Sequence, residues 1–181
     1  YLEDYNFHWC PESGFSNRLI IPFYYQGRLV GYTARKITAG NPKYISEQQP
    51  GYVFNLDSQT YDRKYVIVTE GPIDAICIGG VAVMSAEIGP SQAPQISQLQ
   101  REVIVLADRD DAGIKMVEQA LELGWSVAFP EWADGIKDVN DAVKRYGRLY
   151  TLYSIINSKE SNNLKIQLRA RKWFKKEEEW H

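Results

Sequence analysis

The sequence predicts an α/β protein: a mostly parallel four-stranded sheet with flanking helices, preceded by a small basic β-rich subdomain and followed by C-terminal helices. Three observations carry that expectation. From Tyr65 onward, short apolar runs alternate with helical patterns at the interval of βαβ units. Ahead of them, RLIIPFYYQGRLVGYTARKI (residues 18–37) places two runs rich in Ile, Val, Tyr and Phe on either side of Gln26-Gly27, the pattern of a β-hairpin. After Gly147, apolar residues recur at helical spacing.

Residues 1–17 mix aromatics with Pro11 and Gly14 without periodicity and read as a short helical or irregular lead-in ending in a turn. Pro22 places the first hairpin strand at an edge or a bulge, because proline cannot donate to the ladder. NPKYISEQQPG reads as a loop, and the run YVFNL (52–56) offers one more strand. Residues 58–64 are polar and mark a boundary.

The sheet strands are expected at 65–69, 81–86, 102–107 and 126–130, with helices at 72–78, 91–99 and 111–123. Gly124 suits the position after the last of these helices, where a left-handed residue closes the turn. Asp138 suits the N-cap of a helix over 139–146. Leu149, Leu152, Tyr153 and Ile156, then Leu164, Ile166, Leu168 and Trp173, predict two further helices, with KKEEEWH as a frayed end. This gives three expected units: 1–64 (basic, β-rich), 65–147 (α/β) and 148–181 (helical).

The chain has 181 residues with ordinary hydrophobic content and many aromatics, which excludes a disordered protein. No apolar run approaches the roughly 20 residues needed to span a bilayer, no signal-peptide pattern opens the chain, and the lack of a disulfide framework fits a reducing cytoplasm. Its start on Tyr1 is expected of an excerpt from a longer polypeptide. Cys10 and Cys77 are the only cysteines, too few for a Cys₄ zinc site or a disulfide framework. No Gly-x-Gly-x-x-Gly or Walker A sequence follows any strand, which counts against dinucleotide and P-loop chemistry.

Charge is segregated. Residues 1–64 carry seven Lys/Arg against six Asp/Glu, residues 65–147 six against thirteen, and residues 148–181 eight against four. Within 13–46 there are five basic residues, no acidic one, and Tyr24, Tyr25, Tyr32 and Tyr44 between them. Such a surface suits phosphates and bases; equally, the charges of a single hairpin commonly serve only to solvate a sheet face.

The acidic residues carry the chemistry. In VIVLADRDDAG (103–113), Asp108 and Asp110 follow a buried-strand run, at the strand end where open α/β sheets bind ligands. On an extended segment their spacing points both the same way, suiting Mg²⁺. The plainer reading is a helix cap by Asp110 or Asp111. Glu70 closes the first strand and Asp138 follows the fourth, so all four carboxylates converge on one sheet edge. Crowded in this way they repel unless a cation neutralises them. Asp111 is then left to the helix N-terminus, where its charge suits the dipole.

EGPIDA (70–75) and DRDDAG (108–113), in this order, resemble the two signature motifs of Toprim domains. The segment ahead, RLIIPFYYQGRLVGYTARKI and NPKYIS, is similar to the one that DnaG-type bacterial and phage primases place before Toprim. Together the resemblances cover about residues 18–147. They imply a Toprim-type sheet and a core that makes short RNA primers on single-stranded DNA from ribonucleoside triphosphates. Two or more Mg²⁺ or Mn²⁺ ions and a replicative helicase as partner are implied with it, in the cytoplasm, or the host cytoplasm of a phage. By position, Glu70, Asp108 and Asp110 match the catalytic acids, and Glu70, Asp108, Asp110 and Asp138 the metal-binding group. Asp74 and Asn140 match additional positions near it. Arg18, Arg35, Lys43 and Tyr44 match the positions lining the nucleotide and template groove. Asn140 stands where the family often has Asp, and Glu87 and Pro90 interrupt a usually small turn. The zinc-binding domain that usually precedes such a core does not fit within this chain. The rival readings are a Toprim nuclease or topoisomerase, and a non-catalytic module for single-stranded DNA or a helicase.

Overall fold

The computed structural model describes residues 5–174 and contains two sheets. The smaller is antiparallel, in the order β1 (Arg18–Tyr25), β2 (Arg28–Lys36), β3 (Tyr44–Glu47). The β1–β2 hairpin turns at Gln26 and Gly27, whose φ of 50° and 73° give the doubly left-handed turn that matches strand twist. Pro22 sits in the edge strand β1, one residue before a register shift at Phe23/Tyr24. The expectation of a loop at NPKYISEQQPG is corrected: β3 forms inside it, with Arg35 opposite Tyr44 and Thr33 opposite Ser46. Two flanking prolines and polar neighbours hide this short strand, which only the β2 ladder stabilises.

The larger sheet contains β4 (Tyr65–Thr69), β5 (Val81–Ala82), β6 (Glu102–Val105), β7 (Ser126–Ala128) and β8 (Lys159–Glu160), in the order β5-β4-β6-β7-β8. Strands β4 to β7 are parallel, and β8 pairs antiparallel to β7. The sheet is thus five-stranded rather than four-stranded, because the chain after 158 turns back onto the free edge of β7. Strand β5 is shorter than the apolar run 81–86, since Met84 takes a φ of 65° and ends the extended segment. YVFNL makes only an isolated bridge, Phe54 to Ala82, before a 3₁₀ turn at Leu56–Ser58.

The helices are α1 (Pro72–Ile78), α2 (Gln92–Ser97), α3 (Gly113–Glu122), α4 (Val139–Tyr146), α5 (Arg148–Ser158) and α6 (Asn163–Phe174). Alternating side chains along the strands divide the core into two layers. Val66, Val68, Val103, Val105 and Val127 face α2, α3 and α6 through Ile96, Met116, Val117 and Ile166. Ile67, Ile104 and Ala128 face α1, α4 and α5 through Ile78, Val139, Ala142 and Ile155. Burial on both faces explains why the strands read as unbroken apolar runs. Gly124, with φ of 68°, follows α3 as expected. The C-terminal helices join these layers, α6 through the fully buried Ile166. The KKEEEWH tail lies outside the described residues. Among the described residues, no helix is long and apolar enough to cross a membrane.

A third cluster fixes how the two sheets meet. Ile21 and Phe23 of β1 pack with Tyr52, Phe54, Ala75, Ile76 and Ala82. Phe23 stacks on Tyr52 at 5.0 Å and meets Phe54 edge-on at 5.6 Å. Fully burying one such ring contributes about 1.5–3 kcal/mol, so this cluster holds the basic sheet against the α1 side of the parallel one.

Candidate active site

Where the sheets meet, a cleft of about 350 Å³ opens between β2/β3 and the carboxyl ends of β4 and β6. One wall is Thr33, Arg35, Lys43, Tyr44 and Ser46; the other is Glu70, Asp74, Asp108 and Asp138. Residues some 100 positions apart are brought together because parallel strands end on one edge and α4 starts beside it.

Each acid is positioned by backbone. Glu70 follows β4 directly, and its Oε1 accepts the Asp108 N–H at 3.2 Å, tying the ends of β4 and β6. Burial raises its pKa, Asp110 adds to the rise, and the Asp108 N–H opposes it. Asp108 is pushed up to about 8, first by burial and then by the charges of Asp74, Glu70, Asp138 and Asp110. Asp74, on the first turn of α1, is raised to about 6 by burial and by Asp138, against a hydrogen bond from the Asn140 N–H at 2.8 Å. Asp138 is the N-cap of α4, its Oδ1 accepting the Asp141 N–H at 2.8 Å. Asn140 thus enters the site through its backbone.

Asp110 departs from the expected geometry. Its N–H bonds to the Asp108 carbonyl at 2.9 Å, so the segment turns instead of running extended. Its Oδ1 accepts the N–H groups of Ala112 and Gly113, both at 3.0 Å, at the start of α3. The side chain is exposed and outside the cleft wall, near enough to act electrostatically on Asp108 and Glu70. Gly113 is required here: a Cβ on it would stand 2.3 Å from the Asp108 carbonyl oxygen.

On the basic wall, the Arg35 guanidinium lies 5.7 Å and the Lys43 ammonium 5.5 Å from the Tyr44 ring centroid. Burial raises the Tyr44 pKa, Arg35 opposes the rise, and Asp74, Asp108 and Asp138 add to it, placing this ring within reach of all three acids. Arg18 belongs to a different place. It is 6% exposed, and its guanidinium donates to the carbonyls of Gly14 (3.1 Å), Ala34 (3.2 Å), Lys43 (3.5 Å) and Pro42 (2.9 Å). With its donors engaged by backbone, Arg18 is a strut for the 42–43 segment and not part of the groove lining. Thr33 and Ser46, hydroxyl to hydroxyl at 2.6 Å, line the cleft and were not singled out by the sequence. Small polar residues on a strand carry no distinguishing pattern.

Among the described residues, no three acidic, His or Cys side chains close into a ready-made ion cage. The donor set nonetheless fits a hard divalent cation. Its members are carboxylates, three are half-buried or more, and none of Glu70, Asp74, Asp108 and Asp138 is held in an ion pair among the described residues. Burial first, and then the neighbouring carboxylates, push Asp108 up, and a bound cation would oppose both effects.

A Toprim-like family model matches residues 67–143, which span β4 to α4 and hold every acid of the cleft. The structure of the DnaG catalytic core aligns over 81% of this chain and 54% of its own, with a TM-score of 0.67 at 19% identity. The Aquifex aeolicus primase (zinc binding and RNA polymerase domains) aligns over 96% of this chain and 51% of its own, with a TM-score of 0.66 at 25% identity. The fold is that of the DnaG catalytic core, and residues 67–143 form a Toprim-like domain within it. The Rickettsia bellii DNA primase is 29% identical over 157 residues, 74% of this chain and 26% of the relative. The chain therefore spans about a quarter of the length of the curated relatives it matches. In it the Toprim acids and the basic β-sheet form opposite walls of one cleft.

Proposed function

We propose that this chain is the polymerising core of a primase, a nucleotidyltransferase that joins ribonucleotides into short RNA primers on single-stranded DNA. One observation carries the reading: the acidic edge of the parallel sheet and the Arg35–Lys43–Tyr44 surface face each other across a single cleft. A nuclease or topoisomerase reading needs the acids but gives no reason for the opposite wall. A binding-only module gives no reason to gather carboxylates that repel.

In this reading Arg35 and Lys43 bind the triphosphate of the incoming nucleotide through charge-assisted hydrogen bonds. Tyr44, exposed at 41% beside them, offers a ring face to a base. Glu70 holds Oε1 on the Asp108 N–H and leaves Oε2 to accept the proton of the attacking 3′-hydroxyl. The bonds from Asn140 and Asp141 fix Asp74 and Asp138 at the α4 N-terminus. Two Mg²⁺ or Mn²⁺ ions, held by Glu70, Asp108 and Asp138 with the Asp110 charge acting on the site from the start of α3, would supply charge neutralisation at the hydroxyl and the departing pyrophosphate. A replicative helicase is the partner proposed with this activity.

The deciding experiment supplies labelled ribonucleotides, a single-stranded template and Mg²⁺ or Mn²⁺ to the protein. Template-dependent oligoribonucleotides are expected. Strand cleavage without nucleotides, and no synthesis, would point to the nuclease reading instead.

A further inference from the structure

A second basic site lies on the sheet edge opposite the carboxylates. There the segments leading into β4 and β6 border a cavity of about 990 Å³. Arg63 and Lys64 line it just before β4, and Arg101 just before β6, with the ring of Tyr61 at the rim. Strand β4 separates this edge from Glu70 by five residues, roughly 17 Å at ~3.3 Å per residue.

Nη1 of Arg101 is buried without an acceptor, while Nη2 donates to the Gln59 carbonyl at 3.2 Å. A buried donor of this kind marks a place for an anion or a water. Two carboxylates share the wall, and both are engaged. Glu102 pairs with Lys159 and accepts from Ser126 Oγ at 3.1 Å; Asp57 Oδ2 accepts the Gly27 N–H at 3.0 Å. Asp57 keeps its charge and Asp62 acts on Arg63 and Arg101, so with Glu102 paired to Lys159 the three cations Arg63, Lys64 and Arg101 exceed these two carboxylates by one. Tyr61 is 101% exposed, so its ring rests on nothing in the protein. A free aromatic face beside a net positive wall is the pairing used to hold single strands, by base stacking and phosphate contact. The volume lies at the top of the roughly 300–1,000 Å³ range of small-molecule sites, more than one small anion fills.

We propose that this cavity is a second binding site for single-stranded polynucleotide, with Lys64 and Arg101 taking backbone phosphates and Tyr61 stacking on a base. It requires no metal and no nucleotide, so it stands apart from the reading of the cleft.

The test uses an iododeoxyuridine-substituted single-stranded oligonucleotide and the whole chain in EDTA, with crosslinking followed by peptide mapping. The expected result is a crosslink at Tyr61 that is lost in Lys64→Gln/Arg101→Gln, together with at least a fivefold fall in affinity. The slope of log affinity against log salt should shrink by about one to two. Arg101→Lys should restore much of the binding, and Tyr61→Ala, a change at a fully exposed side chain, should weaken it several-fold in a normally folded protein. Crosslinks confined to Tyr44, or unchanged affinity in Tyr61→Ala and the double variant, would overturn the proposal. Displacement from Tyr61 by ATP as effective as by unlabelled oligonucleotide would also overturn it, assigning the cavity to mononucleotides.

Discussion

Asp74 Oδ1 accepts the backbone N–H of Asn140 at 2.8 Å, joining the first turn of α1 to the first turn of α4 across 66 positions. With Asp138 capping the same helix, two carboxylates share one helix N-terminus. The backbone bonds and the dipole favour them, while burial and mutual repulsion oppose them, and the Asp74 carboxyl rises to about 6. Burial is the largest cause of that rise, Asp74 having 8% of its surface exposed.

Asp74→Ala removes the acceptor and leaves the Asn140 N–H unpaired, a cost of about 1–3 kcal/mol. Asp74→Asn keeps an oxygen for that bond and removes the charge. Thermal melts of the metal-free proteins at pH 8 should place Asp74→Ala several degrees below the parent and Asp74→Asn at or above it. Equal melting temperatures for the two variants would show that the bond contributes nothing.

Stability should depend on pH through the same cluster. Asp108 and Asp74 have folded-state values near 8 and 6, above the ordinary carboxyl value of 3.8. A carboxyl raised on folding favours the native state while protonated, and that advantage is lost as pH climbs through the window. Metal-free protein should therefore lose stability between about pH 4 and pH 8. Mg²⁺ should restore it most at the upper end, where the carboxylates are ionised. Denaturant titrations along this range check both effects, and Asp108→Asn should flatten the slope.

The double substitution Asp108→Ala/Asp110→Ala should abolish primer synthesis, with a cost to folding carried by Asp110. Its carboxylate accepts two N–H groups at the α3 N-terminus, and loss of such a cap costs about 1 kcal/mol. Asp108→Asn/Asp110→Asn retains the cap acceptor and separates the roles. It should melt near the parent and still fail to extend primers. Primer extension by the Asn pair would remove the metal assignment.

Arg18 and Arg35 should behave as opposites. Arg18→Lys replaces a planar fork with an ammonium unable to reach four carbonyls at once. It should lower stability by about 2–4 kcal/mol in chemical denaturation, since buried carbonyls lose their donors. Arg35→Gln should unfold like the parent and raise the nucleotide concentration needed for half-maximal synthesis about tenfold. The reverse ranking would mean that Arg18, not Arg35, meets the substrate.

These contrasts show what the sequence could reveal. Strands β4 and β6 were legible because two-sided burial writes them as continuous apolar runs, and the turn at Gln26-Gly27 because its left-handed backbone selects glycine. Asp138 was legible twice over, as a cap and as a carboxylate at a converging edge, and the structure makes it both. Arg18 was not legible. A strand arginine reads as surface charge until tertiary structure supplies the carbonyls that consume it. Asp110 reads as a metal ligand only on an extended backbone, and the turn after Asp108 removes that premise. The Tyr44 strand was hidden for a related reason: its stability comes from its partner strand and not from its own composition.

Strand β8 has a consequence beyond the count of strands. Without Lys159 and Glu160, β7 would present an unpaired rim of N–H and C=O groups three residues long. Such a rim is a template on which another chain can grow. The antiparallel pair occupies it with two charged side chains, and the Lys159–Glu102 ion pair fastens that cover two strands inward. The C-terminal segment therefore insulates the sheet on that side, leaving a two-residue charged edge where a three-residue uncharged one would stand.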